Sequence, residues 1–236
     1  MTDISKSADR IAAMFDAIAD RYDLLNHLLS AGIDKRWRKR AIDSLALTGS
    51  ERLLDLCTGT GDVAIAARTV PRGARRAVAV DFAAAMLRIG GEKIRRAGLA
   101  DSITLVRADA TQVPMADRSI DAATIAFGIR NVENTAAAVG ELHRVLRPGG
   151  RFAILEFAIP TVPIVRAVYL AYFAQVLPRI GRLVSRHNRA YAYLPESVGA
   201  FATPDEFVTI LRQAGFRDIR AAPLTFGIVF LYTGRA

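Results

Sequence analysis

Cysteine is almost absent: Cys57 stands alone in 236 residues. A lone cysteine excludes an intrachain disulfide framework and suits a reducing compartment. Histidine is nearly as scarce. His27, His143 and His187 are scattered, and with one cysteine they form no cluster at metal-ligand spacing, so no metal is expected. Long apolar runs are missing too. The best, Ala167–Leu177, is eleven residues with Gln175 inside it, against the roughly 20 needed to span a bilayer. The opening stretch, MTDISKSADRIAAMFD, lacks the apolar centre of a signal peptide. These absences make a cytoplasmic location the expectation. Acid is missing from one long stretch. No carboxylate side chain lies between Glu156 and Glu196, whereas Arg166, Arg179, Arg182, Arg186 and Arg189 do.

What is present is an apolar, basic chain. Hydrophobic residues make up 52% and the net charge is +9. The first favours a globular fold with a sizeable core; the second favours anionic partners. Lys35, Arg36, Arg38, Lys39 and Arg40 cluster around Trp37, and the acid-free stretch holds the apolar VPIVRAVYLAYFAQVLPRIGRLV. Basic and apolar character together point to peripheral contact with the cytoplasmic membrane face more than to nucleic acid. The same apolar insert also reads as extra core or as a contact between two copies of the chain.

Residues 8–47 carry helical periodicity, read as two or three helices. Strand-like runs follow at 52–57, 77–81, 102–107, 120–127 and 150–157, with helical stretches at 62–69, 83–97 and 134–146. That alternation predicts an α/β fold with a mainly parallel sheet and helices on both faces. Arg147-Pro148-Gly149-Gly150 reads as a helix stop and turn. Residues 160–200 break the rhythm. Thr203-Pro204-Asp205-Glu206 restarts it as a helix N-terminus, and two strands near 216–221 and 226–233 flank Pro223. One domain is expected, divided into a helical cap (1–47), a cofactor-binding core (48–159), a substrate- and membrane-facing insert (160–200) and a C-terminal helix with a strand pair (201–236).

The motif that points to chemistry is LLDLCTGTGD at 53–62, with Asp81 closing the run VAVD. An apolar run ending in a glycine-rich turn before a helix builds a nucleotide-type site at strand ends. Gly59 and Gly61 let a ligand approach the backbone, and Asp81 can accept from both hydroxyls of a ribose. A dinucleotide would meet Asp62 where its pyrophosphate must sit. Asp109 can accept from an adenine amino group while the Ala110 N–H donates to the ring. With Asp55, these acids suit a cationic ligand, and S-adenosylmethionine carries an ammonium and a sulfonium but no phosphate.

Motif order resembles a class I S-adenosylmethionine-dependent methyltransferase. More narrowly, four segments resemble the quinone-biosynthesis C-methyltransferases that act on demethylmenaquinol and on the polyprenyl benzoquinol precursor of ubiquinone. They are Tyr22-Asp23-Leu24-Leu25-Asn26 through Trp37, Phe127-Gly128-Ile129-Arg130-Asn131-Val132, Arg144 through Phe157, and Tyr191 through Ser197. Asp34 departs from the histidine that family often has. The resemblance implies a Rossmann-like fold with a seven-stranded sheet, an N-terminal helical cap and an apolar helical insert before the last helix. It also implies cofactor contacts at Thr60, Asp81, Asp109 and Ala110, and a prenylated quinol as acceptor.

Methylating a quinol carbon needs the ring oxygen deprotonated, and a phenol titrates near ~10. Arg130 is the candidate fixed cation and Asn131 the candidate donor to a ring oxygen. An ion pair with Glu133 or Glu156 is the plainer role for Arg130. His187 has the titration range of a base; a surface histidine is its alternative. Tyr22 shares a helix face with Asn26 that can close over the cofactor, or packs as an ordinary helix residue. Val165, Tyr169, Tyr172 and Phe173 are expected to form an apolar groove for the prenyl tail. Two further readings stand beside this one: a methyltransferase of the same fold acting on a soluble acceptor, and a non-catalytic adenosine- or nucleic-acid-binding module.

Overall fold

The computed structural model describes residues 10–19, 30, 32–176 and 188–236, apart from the side chains of 173, 176 and 188–192. Helix α1 covers 10–19. Then come α2 (Asp34–Ser44), β1 (Arg52–Leu56), α3 (Asp62–Thr69), β2 (Arg76–Asp81), α4 (Ala84–Arg96), β3 (Ile103–Arg107), β4 (Ile120–Ala126), α5 (Thr135–Val145) and β5 (Leu146–Phe157). Helix α6 (Pro163–Ala171) runs into a π-helical turn, Tyr172–Val176; α7 (Asn188–Gly199), α8 (Pro204–Gln213), β6 (Arg217–Leu224) and β7 (Val229–Arg235) complete the order.

The seven strands form one sheet in the order β3-β2-β1-β4-β5-β7-β6. The first five are parallel; β7 is antiparallel to both its neighbours. Residues 53–56 of β1 and 122–125 of β4 are buried, which is why both read as continuous apolar runs rather than alternating ones. Helices α2, α3 and α4 cover one face through Trp37, Ala41, Val63 and Ile94. Helices α5 and α8 cover the other through Ala138, Leu142, Phe207 and Leu211. Chain direction across the sheet reverses between β1 and β4, and a ligand crevice opens beyond the carboxyl ends at such a switch point.

Two expectations are adjusted. Arg147-Pro148-Gly149-Gly150 lies inside β5 as a bulge: Ile120 pairs with Leu146, yet Ala122 pairs with Arg151. Pro223 lies within β6 rather than between strands, and a 3₁₀ turn, Thr225–Gly227, makes the reversal into β7. Proline is tolerated because β6 is an edge strand. The helix at Pro204 starts as expected: the Thr203 hydroxyl accepts from the Glu206 N–H, and the Glu206 carboxylate accepts from the Thr203 N–H at 2.7 Å.

Candidate active site

Strand β1 runs out into the loop 57–61. Gly59 and Gly61 take left-handed backbone (φ 57° and 79°), where a side chain would strain. The loop is pinned from both sides. Its Thr58 N–H bonds the Val80 carbonyl (3.0 Å), and its Gly59 N–H bonds the Asp81 carboxylate (2.7 Å). Beneath it lies Asp55, 1% exposed. That carboxylate accepts from the hydroxyls of Thr58 (2.5 Å) and Thr124 (2.7 Å). Burial pushes its pKa up to about 6, against the pull of those hydroxyls.

A cleft of about 640 Å³, open to solvent, lies between this loop and the ends of β2, β3 and β4. Asp81, Asp109, Ala110 and Asn131 line it, joined by Phe82 and Glu133. Asp81 also accepts from the Ala83 N–H (2.9 Å), and burial pushes its carboxyl up. One oxygen of Asp109 accepts from the N–H and the hydroxyl of Thr111 (2.7 Å each). Of the other residues expected near a cofactor, Gly59 and Gly61 shape the loop, whereas Asp55 and Thr60 are buried and do not line the cleft. Helix α1 reaches the same edge: the Ala85 N–H at the start of α4 donates to Asp16 (2.9 Å).

Where the negative charge lies differs from the expectation. Asp62 is not a bare acid at a helix start. Arg38 bonds it at 2.5 Å and Lys93 bonds its other oxygen. Burial alone would raise its pKa, but these two cations hold it below the usual carboxylate range. Among the described residues, the acids that face the cleft are Asp81, Asp109 and Glu133, and no lysine or arginine lines it. Among the described residues a phosphate would therefore meet three carboxylates and no cationic side chain. A ribose, an adenine and a sulfonium suit the same lining. Glu133 was expected only as an ion-pair partner for Arg130, and Lys93 was not foreseen as part of the site. Cys57 also lines the cleft, with its thiol pushed up by burial and by the carboxylates of Asp81 and Asp55. It is a neutral wall, not a nucleophile.

At the end of β4, Arg130 and Asn131 are 6% and 7% exposed. Arg130 pairs with Glu156: its Nη1 donates to Oε1 (2.8 Å) and to the Phe127 carbonyl (2.5 Å). Its Nε donates to the Ser197 hydroxyl (3.3 Å), and its guanidinium lies 5.4 Å from the centre of the Phe157 ring. Asn131 accepts from the Tyr193 hydroxyl (3.0 Å). Tyr193 and Ser197 stand four apart on α7, on one face, so that helix grips both members of the pair. Phe127 packs tilted against Phe157 with ring centres 4.6 Å apart, and Trp37 of α2 lies against both. Tyr22 and His187, and the side chain of Tyr191, lie outside the described residues.

The insert holds a second pocket of about 230 Å³, lined by Ile159, Tyr169, Leu170, Ala174, Pro195 and Val198. Of the groove residues expected there, Tyr169 takes part and Val165 and Tyr172 do not; the Phe173 side chain is outside the described residues. Around it Ile159, Val162, Ile164, Val168 and Leu170 are exposed, as is Phe226 at 78%. The turn carrying Phe226 lies beside Pro160, just before α6. Among the described residues no helix is long and apolar enough to cross a membrane, and no group of three His, Cys, Asp or Glu could hold a metal ion.

A doubly wound sheet with this crevice, with β7 inserted antiparallel between β5 and β6, an acid at the end of β2 and a glycine loop after β1, is the fold of class I methyltransferases. A solved S-adenosylmethionine-dependent methyltransferase from Aquifex aeolicus shares that fold, with a TM-score of 0.60 at 17% identity over 84% of this chain and 88% of that one. The particular family follows from the whole sequence. The model of the "ubiE/COQ5 methyltransferase family" matches residues 1–236, and the chain belongs to that family. Among its relatives, the "Ubiquinone/menaquinone biosynthesis C-methyltransferase UbiE" of Geobacter sp. (strain M21) is 46% identical over 231 residues, 98% of each chain. The "Demethylmenaquinone methyltransferase" of Thermus thermophilus is 46% identical over 221 residues, 94% of this chain and 99% of that one.

Proposed function

We propose that the acceptor is a prenylated quinol, demethylmenaquinol foremost and the polyprenyl methoxy-benzoquinol of ubiquinone synthesis beside it, methylated on a ring carbon. The names of the relatives support the quinone; the observation that carries the chemistry is the buried Arg130–Asn131 pair beside the carboxylate-lined cleft. S-adenosylmethionine supplies an electrophilic methyl group on a sulfonium. Asp81 holds the ribose hydroxyls, while Asp109 and the Ala110 N–H read the adenine. A quinol carbon becomes nucleophilic when the neighbouring hydroxyl loses its proton, which in water happens near ~10.

Asn131 and Arg130 make that loss easier. With its Oδ1 engaged by Tyr193, the Asn131 amide has its NH₂ left to donate to a ring oxygen. The Arg130 Nη1 and Nε are committed to Glu156, Phe127 and Ser197. Nη2 is the edge left to meet an oxyanion, and Glu156 fixes its direction. Arginine is no base, so the proton leaves to water at the open side of the cleft. Placing ring carbon and methyl in line accounts for much of the remaining rate. The exposed apolar flank, with Arg166 on α6, meets the membrane surface in which such an acceptor is dissolved.

The test is transfer of labelled methyl from S-adenosylmethionine to reduced, short-chain demethylmenaquinol and to the benzoquinol precursor. Label in the ring, with kcat lowered roughly 10²–10³-fold by Arg130→Ala, is the expected result. No label in either ring, with S-adenosylmethionine still bound, would move the function to a soluble acceptor.

A further inference from the structure

We propose that the pocket of the insert is a subsite for the first isoprene units of the acceptor's tail, placed between the reacting ring and the membrane-facing flank. The inference rests on the quinol reading and adds a site to it. Three observations place the pocket on that route.

Its lining is apolar except for the Tyr169 hydroxyl. Its enclosed space of about 230 Å³ is below the roughly 300–1,000 Å³ of sites that hold a whole small ligand, so it takes only part of a tail. A long polyprenyl chain would not fit inside and must leave by the open rim. Two of its residues, Ile159 and Leu170, are that rim: they are 38% and 44% exposed and belong to the apolar flank. At the inner end the pocket and the catalytic pair share a wall. Pro195 and Val198 of α7 line the pocket, while Tyr193 and Ser197 of the same two turns bond Asn131 and Arg130. Tyr169 is buried at that inner end, within the electrostatic reach of Arg130 and Glu156. A ring held at Asn131 therefore lies across α7 from an apolar pocket that opens at the surface.

An isoprene unit is branched, unsaturated hydrocarbon with no hydrogen-bonding group. It gains from leaving water wherever it is enclosed. Only the enclosed units gain at this pocket; those beyond the rim do not. The expected signature is a step in kcat/KM that saturates with tail length.

The experiment compares kcat/KM for quinols of one ring type bearing a methyl group, one, two or several isoprene units, in the same micelles. The wild-type protein should gain about tenfold or more on the first one or two units and little thereafter. Ala174→Trp fills the pocket from its exposed side, and Leu170→Asp charges its rim. Each should lower the ratio of prenylated to tail-less kcat/KM about tenfold. A ratio does not depend on the fraction of active enzyme, so poor folding of a variant cannot mimic the result. Methylation indifferent to the tail, a gain that grows with every unit, or unchanged ratios in both variants would overturn the subsite alone. If no quinol is methylated by the wild-type protein, the quinol reading falls with it.

Discussion

At the scale of single residues, Gly128 has room for a hydrogen and no more. A Cβ there would lie 2.3 Å from the Cβ of Cys57. The two positions close the crevice floor where β1 and β4 end side by side, with Leu56 paired to Ile125. Cys57 itself sits at φ 57°, so neither backbone can retreat cheaply. Gly128→Ala should destabilise the protein by about 1–3 kcal/mol in chemical denaturation, the range for overpacked cores. Cys57→Gly removes the opposing Cβ and relaxes the left-handed backbone, so the double variant should recover most of the loss. Strictly additive effects in that cycle would show that the contact is not what constrains Gly128.

At the scale of elements, α6 presents most of its apolar side chains outward. Ile164 and Val168, one turn apart, are 78% and 65% exposed, and only Tyr169 of the helix is buried. Ile164→Glu with Val168→Glu should abolish binding to anionic vesicles at low salt, read by co-sedimentation, while methylation of a tail-less acceptor in solution stays as it was. Wild-type-like sedimentation of that variant would remove α6 from the membrane contact. Much of this architecture was legible beforehand. The βα alternation, the glycine loop, Asp81 and the helix start at Thr203 are local patterns, and strand ends in a parallel sheet bring local patterns to one edge. The pairings that finish the site were not legible. Tyr193 meets Asn131 and Ser197 meets Arg130 across 62 and 67 residues, and Lys93 meets Asp62 across 31. Periodicity reports which face a residue takes, not which distant residue it finds there. The bulge at Arg147-Pro148-Gly149-Gly150 read as a turn for the same reason: its local chemistry is that of a turn, and only pairing with β4 carries the strand through it.

At the scale of the whole molecule, Asp55 makes stability depend on pH. Its folded pKa, about 6, lies above the ~3.9 of an unfolded aspartate. The fold therefore favours the protonated form. The stabilisation from this group is fully present below about pH 4 and is lost as pH rises through about 6. Asp55→Asn cannot ionise. Its stability relative to wild type should rise by on the order of 1–3 kcal/mol between pH 4 and 7; a difference that stays flat across that range would contradict the assignment. The sheet carries a consequence of another kind. Strand β7 lies between β5 and β6, yet it follows both in the chain. While a ribosome delivers the polypeptide from its N-terminal end, β5 waits with one edge bare, and β6 has no partner because it pairs with β7 alone. The half-sheet β3-β2-β1-β4-β5 with its glycine loop can assemble early, but its outer edge remains open for β-pairing with other chains until residues 229–235 emerge. The interval between synthesis of Phe157 and Arg235 is thus the window in which a chaperone guarding an unpaired strand would matter most to this protein.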